Sequence, residues 1–378
     1  MNHPAKLRNS NLFRLILFVI VPVVFLICCG LEPKSYVTGI VITIGIYVVL
    51  CASLNLINGF SGMFSMGHAA FMAIGAYISA FLTLGSNVKE NMCPGLPNWL
   101  IHTQIPFGFA LIVGGLAAML VSVLVAFPVV RTKGHYLSVV TLALIVVVRA
   151  VIDNQDEWTN GSRGLNGIPV KSNIFSVYIV VLITLFVLYR VIRSDYGRGL
   201  IAMRDDPVAA QTLGINLRKK KISCFAISAF FAGVGGGLWA HYLTAISGAN
   251  FYFTKSFDIV EISIIGGMFS LSGSILGAAF FTIVPEFLSP LENGLKVAGI
   301  QFPTMFGLSN IIMAVLLIVL IIFRRQGLMG NSEIILDSWF SPKTYLSPFR
   351  KEEYRYLGQA FHNLFRPKQK TGGTKNSH

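Results

Sequence analysis

The sequence predicts an all-α polytopic membrane protein with about ten transmembrane helices, alternatively eight. Three observations carry this. Apolar runs of roughly 20 residues, the length that crosses the hydrocarbon core, recur from residue 12 to residue 323. Of the 378 residues, 54% are hydrophobic and 12% charged, and the mean hydropathy is +0.68. A soluble domain carries about twice that charged fraction, so a soluble globular enzyme is excluded. The runs also lack the alternation over about 10 residues that marks the strands of a membrane barrel.

The first run, 12–30, follows Lys6 and Arg8 and resembles a signal peptide. No small-x-small cleavage site follows it, and Ile27 before Cys28 is not the small residue of a lipoprotein site, so an uncleaved span is expected. The second span is 36–57. The third, 64–84, follows a Gly/Ser-rich break, and a polar loop then runs to Gln104. Spans at 105–130 and 135–152 precede a second polar loop, 153–173, with Asp153, Asp156, Glu157 and Arg163. The next span is 174–192, then a charged stretch, 193–221, then a span at 222–243. Two short apolar pieces, 258–270 and 274–288, are separated by Ser-Leu-Ser-Gly. The last span, 303–323, is stopped by Arg324 and Arg325.

Lys and Arg set the orientation, because cytoplasmic loops carry their excess. With the N-terminus inside, fifteen basic residues before the tail fall inside: Lys6, Arg8, Arg14, Arg131, Lys133, the cations of 190–221, Arg324 and Arg325. Six fall outside, namely Lys34, Lys89, Arg163, Lys171, Lys255 and Lys296. Both ends are therefore expected in the cytoplasm of a bacterial inner-membrane protein, which requires an even number of crossings. The net charge of +14 is read as this loop bias rather than as a nucleic-acid surface. Cys28, Cys29, Cys51 and Cys224 lie in apolar runs and Cys93 in a loop, which implies no disulfide framework. Residues 1–328 form the expected membrane domain, and 329–378 a basic tail of net +4 whose aromatics suit an anionic headgroup surface.

Three segments depart from plain apolar helix. The first holds Asn55, Asn58, Ser61, Gly62, Ser65, Gly67 and His68 between apolar residues. Unpaired polar groups cost several kcal/mol in lipid, so these face protein or a water-filled cavity. The segment reads as a break lining a pathway, or as a tightly packed turn with satisfied polar groups. His68 reads more readily as a structural hydrogen bonder than as a proton carrier. In the second segment, Asp206 is a plausible N-cap with Pro207 at the first helical position, Val208 to Leu213 form a short helix, and Gly214 ends it. Such a helix is either a rigid knob at the membrane surface or an ordinary amphipathic loop helix. The third segment carries Gly266, Gly267, Ser272 and Gly273, with Asp258 and Glu261 on one helix face where the interface explains them. Ser61-Gly62-Met63-Phe64-Ser65 is echoed by Gly266-Gly267-Met268-Phe269-Ser270. Paired interrupted helices point to transporters, although short apolar matches also arise by chance.

These three segments resemble the permease subunits of branched-chain amino acid ABC importers, specifically the LivM family. The motifs are Leu54-Asn55 through Ser61-Gly62 with Gly67-His68 and Gly75-Ala76-Tyr77; Gly197-Arg198 through Arg204-Asp205-Asp206-Pro207 to Gly214-Ile215-Asn216; and Gly266-Gly267 through Leu271-Ser272-Gly273-Ser274 to Gly277, with Pro285-Glu286. The resemblance covers roughly residues 36–325, and the second motif is the most specific. It implies the fold of vitamin B12-type importer permeases. It makes Arg204, Asp205, Asp206, Pro207, Ala209, Ala210, Leu213 and Gly214 a coupling helix that docks on an ATPase subunit. It implies two ATPase subunits, a second, LivH-like permease subunit and an extracytoplasmic binding protein. The translocation pathway would then run past Asn55, Asn58, Ser61, Gly62, Ser65, Gly67, His68, Gly266, Gly267, Ser272 and Gly273. Phe64 and Phe269 depart from the smaller or different residues usual in relatives.

No G-x-x-x-x-G-K-[ST] phosphate loop is present, and no cofactor or metal site is expected. Urea or short-chain amide permeases of the same superfamily are the rival for substrate. An ion-coupled secondary transporter would need charges within the spans, and Arg149, Asp258, Glu261 and Glu286 are the candidates.

Overall fold

The computed structural model describes residues 36–129, 136–292, 296–297, 300–301, 307–323 and 327–329. The expected first span, the basic turn with Arg131 and Lys133, the Arg324–Arg325 stop and the tail from residue 330 lie outside the described residues.

Helix α1 (Tyr36–Asn55) is apolar on every side and is buried accordingly. It continues through one wide turn, Leu56–Phe60, so that 25 residues run as one apolar rod. Helix α2 (His68–Thr83) follows an extended segment, 61–67, and is therefore shorter than the expected 64–84 span. The polar loop to Gln104 contains two short helices, α3 (Ser86–Met92) and α4 (Asn98–His102). Lys89 in α3 is buried and donates from Nζ to the carbonyls of Leu100 and Thr103 at 3.0 and 2.7 Å, tying the two together. Next come α5 (Phe107–Val129), α6 (Tyr136–Asn154), the single turn α7 (Asp156–Thr159) and α8 (Ile174–Arg193).

The charged stretch holds two helices where one was expected, α9 (Asp195–Asp205) and α10 (Pro207–Thr212). Helix α11 (Leu217–Leu243) begins five residues before the expected Ile222, because Asn216 caps it by accepting from Lys219 N at 3.0 Å. Its first turns therefore carry Arg218 to Lys221. The third segment is α12 (Phe253–Gly266) and α13 (Leu271–Glu292). The break between them is at 267–270, not at Ser-Leu-Ser-Gly: Gly267, with φ +111, ends α12, and Ser270 Oγ accepts from Gly273 N at 3.1 Å to start α13. Helix α14 (Leu308–Phe323) is the last described. Strand β1 (Leu165–Asn166) pairs antiparallel with β2 (Ala245–Ile246), Leu165 opposite Ile246, and β3 (Lys296–Val297) pairs with β4 (Ile300–Gln301).

Among the described residues, six helices are long and apolar enough to cross a membrane, and α2 and α14 are shorter apolar helices. The chain is a multi-pass helical membrane protein. Its core is built around α11, which packs on α1, α2 and α5. The contact is made by glycines: a Cβ at Gly236 would lie 1.9 Å from the Met72 carbonyl, and one at Gly75 2.1 Å from the Gly233 carbonyl. Small residues of this kind let backbones touch where lipid supplies no hydrophobic force between helices.

Candidate functional site

The extended segment 61–67 leaves backbone groups without helical partners, and side chains satisfy them. Asn58 does most of this. Its Nδ2 donates to Ser65 O at 3.1 Å and its Oδ1 accepts from Ser65 N at 2.9 Å, closing the break like a short strand pair. Ser61 Oγ returns to Ile57 O at 2.8 Å. From α6, Ser138 Oγ donates to Phe64 O at 2.8 Å and Thr141 Oγ1 accepts from Met66 N at 3.1 Å. From α12, Ser256 Oγ donates to Met66 O. Gly62 takes φ +70, a backbone region other residues enter at a cost of about 1 kcal/mol. Gly67 lies against α6, where a Cβ would sit 2.6 Å from Thr141 O.

His68 opens α2 and is buried, with Nε2 2.7 Å from Ser53 Oγ. Ser53 donates its one proton to Leu50 O at 2.8 Å, so Nε2–H donates to Ser53, and Nδ1 has no partner among the described residues. The contact ties α2 to α1.

The second break, 267–270, lies directly against the first. Asn55 Nδ2 donates to Ser274 Oγ at 2.9 Å and to Ser270 O at 3.3 Å, and its Oδ1 accepts from Ser263 Oγ. One amide thus binds both pieces of the interrupted helix. Gly266 and Gly273 bring α12 and α13 into backbone contact, since a Cβ at Gly266 would lie 2.1 Å from Gly273 O. Asn55, Asn58, Ser61, Ser65, Gly67, His68, Gly266, Gly267 and Gly273 are buried in the chain, Ser272 is half-buried, and Gly62 and Phe64 are exposed.

The surface helix joins this pair. Asp206 Oδ1 accepts from Val208 N at 2.8 Å and Ala209 N at 3.0 Å, with Pro207 at the first position. Gly214, with φ +81, ends the turn. Ala210 packs inward while Val208 and Leu213 are 70% and 79% exposed, an apolar knob on an otherwise polar connection. Helix α9 clamps the knob to the bundle: Tyr196 Oη lies 2.7 Å from Ser223 Oγ, and Lys220 Nζ donates to Tyr196 O at 3.1 Å. Burial pushes the Tyr196 hydroxyl pKa up. Arg204 closes the circuit. Its guanidinium pairs with Asp205 at 2.8 and 2.9 Å, lies 4.9 Å over the Phe269 ring and reaches Gly59 O at 3.5 Å. Its stem packs on Gly62, where a Cβ would meet Cγ at 2.6 Å. Arg204 therefore touches both breaks and the knob's N-terminal side.

The sequence pattern of the family described as branched-chain amino acid transport system / permease component matches residues 36–324. The chain belongs to this family. Among its relatives, the high-affinity branched-chain amino acid transport system permease protein LivM of Escherichia coli K12 is 30% identical over 318 residues, 75% of this chain and 68% of that protein. A probable LivM of Methanocaldococcus jannaschii is 23% identical over 327 residues, covering 79% of this chain and 94% of its own. The probable LivH of the same archaeon is 24% identical over 262 residues, covering 65% and 78%. No solved structure matches the chain.

In this branched-chain permease, Ser138, Thr141, Ser256 and Ser263 also bond these segments, and none of them is among the residues expected along the path. Their only sequence signal is that a hydroxyl in an apolar helix needs an acceptor, which does not say which break it serves. Lys255, counted among the outside cations, lies on α12 with Nζ 2.8 Å from the Tyr47 hydroxyl of α1.

Proposed function

We propose that this chain is a permease subunit of an ABC importer that moves branched-chain amino acids (leucine, isoleucine, valine) or close relatives into the cytoplasm by alternating access. The observation that carries this, beside the family, is Arg204: it links an exposed capped helix to two helix breaks that abut each other. A rigid surface element joined to interrupted helices is the arrangement needed to turn closure of partner ATPases into a change of the path. Val208 and Leu213 offer the apolar contact, and Arg204, Asp205, Asp206, Pro207, Ala209, Ala210 and Gly214 hold its shape. The path runs along the seam of the two breaks, past Asn55, Asn58, Ser61, Gly62, Ser65, Gly67, His68, Gly266, Gly267, Ser272 and Gly273.

The assembly contains two ATPase subunits, a LivH-like second permease and an extracytoplasmic binding protein, in the bacterial inner membrane. The chain crosses ten times with both termini cytoplasmic, in the manner of vitamin B12-type permeases. Residues 1–328 form the membrane domain, and 329–378 a basic tail that meets anionic lipid. The experiment is purification of the tagged chain from its native membrane in mild detergent, followed by reconstitution. Recovery of ATPase and permease partners, with ATP-dependent leucine uptake, supports the proposal. A chain that purifies alone and takes up leucine on an ion gradient overturns it.

A further inference from the structure

Lys255 forms a polar centre beside the first helix break, next in sequence to Ser256, which donates to the Met66 carbonyl. Its Nζ donates to the Tyr47 hydroxyl and lies 4.3 Å from the Trp239 ring centroid and 5.0 Å from that of Tyr47. Phe281 meets Tyr47 edge-on at 5.8 Å and completes an aromatic wall. Asp258, one turn along α12, stands 3.5 Å from Nζ. That is longer than the roughly 2.7–2.9 Å of a closed charge-assisted bond, so the ion pair is not fully shut. Glu261 follows three residues on, along the same face. The indole Nε1 of Trp239 is buried with no acceptor among the described residues.

The depth of this centre matters. Tyr47 lies about 16 Å from the Tyr36 end of α1 at 1.5 Å per residue, well inside an apolar rod. An ionised residue at such depth costs about 2.5–3.5 kcal/mol, and in membrane proteins it marks substrate or ion paths. The side chains of Lys255 and Asp258 keep 15% and 31% exposure, so the centre reaches the surface of the chain.

We propose that Lys255, Trp239 and Asp258 form a transient site for the zwitterionic backbone of a free α-amino acid, which enters between Lys255 and Asp258. The substrate carboxylate accepts from Lys255 Nζ beside the Trp239 ring. The substrate ammonium donates to Asp258, with Glu261 beyond it. This rests on the permease reading above and names the residues that meet its cargo. The charges select the ligand class. A zwitterion replaces each half of the open pair with a matched partner and adds no net charge. A simple anion or cation leaves one buried charge unpaired, which is costly. A neutral amide such as urea matches neither charge, so the site discriminates against it.

The test uses the assembled importer in proteoliposomes with its binding protein, following uptake of L-leucine. Lys255→Met and Asp258→Asn each lower uptake by roughly tenfold or more, the scale for truncating one partner of a buried charged contact. Co-purification with the partner subunits shows that each variant assembles. The double variant separates ligand binding from mutual neutralisation: it stays low if the site binds substrate, and recovery to near wild-type uptake overturns the proposal. A second measurement needs no variant of the pair. Without binding protein, L-leucine added to the detergent-purified wild-type complex gives a saturable change in tryptophan fluorescence that urea does not give and Trp239→Phe removes. Absence of that change overturns the site. Wild-type assemblies that take up no leucine overturn the permease reading and the site with it. Normal uptake in both single variants overturns the site alone.

Discussion

Gly59 and Met268, 209 residues apart, press backbone to backbone: a Cβ at position 59 would stand 1.7 Å from the Met268 carbonyl oxygen. The contact joins the end of the wide turn after α1 to the break between α12 and α13. It also gives the Ser61–Ser65 and Gly266–Ser270 echo a physical setting, since the two similar segments lie side by side. Gly59→Ala forces the breaks apart. Overpacking of this kind costs about 1–3 kcal/mol. Reconstituted Gly59→Ala is expected to lose most leucine uptake while still inserting, and normal uptake would show that the seam can widen freely.

Asn55 is the polar hinge pin of the same seam. Asn55→Leu keeps the branching of the side chain but orphans Ser263, Ser274 and the Ser270 carbonyl. Each orphaned group costs about 1–3 kcal/mol. The detergent-solubilised complex should melt several degrees lower by light scattering on heating, and an unchanged midpoint would mean that water reaches the site.

Arg204 acts through shape as well as charge. Arg204→Lys keeps the cation but loses the guanidinium contact with the Phe269 ring and the two hydrogen bonds to Asp205 Oδ1. Leucine uptake per ATP hydrolysed is expected to fall in both Arg204→Lys and Arg204→Ala. If the lysine variant couples normally, charge alone suffices.

Asp206 and Gly214 shape the knob. Asp206→Ala removes the acceptor for two backbone N–H groups and costs about 1 kcal/mol of local helix stability. A Cβ at Gly214 meets nothing within 4 Å, so Gly214→Ala is strained only by its positive φ. The double variant should insert normally yet uncouple hydrolysis from uptake. Normal uptake would remove this helix from the coupling role.

Cys93 is buried, and burial pushes its thiol up to about 11, which keeps it protonated at neutral pH. Cys51 and Cys224 are also buried. In a variant with Cys28 and Cys29 replaced by serine, N-ethylmaleimide should therefore fail to label the native protein at pH 7.5, and labelling at Cys93 should rise as pH approaches 11. Rapid labelling at pH 7.5 would mean that the α3–α4 loop opens.

Much of this was legible because lipid enforces simple rules. Runs of apolar residues located α1, α5, α6, α8 and α11 to within a few residues at most ends. Asp206, Pro207 and Gly214 announced their own geometry, because a cap, a fixed φ and a positive φ are local properties. Helix α9 was hidden by its charged, weakly apolar sequence, and its stability comes from Tyr196, Ser223 and Lys220 across the fold. The break at 267–270 was misplaced because Ser272 and Gly273 look like a loop yet lie within the first turn of α13. The partners of Lys255 were not legible, because only the packing of α12 on α1 reveals the aromatic wall that receives it.

The glycine contacts of α11 with α2 and α5 have a mechanical consequence. Helices that meet through long side chains can trade one interlocked arrangement for another by rotamer changes. Helices that meet through carbonyls and Cα atoms have no such teeth: any sliding drives rigid atoms into each other. The α2–α5–α11 group should therefore turn as a solid block, a fixed axle, and the give in the machine is left to the two seams where helices stop and restart.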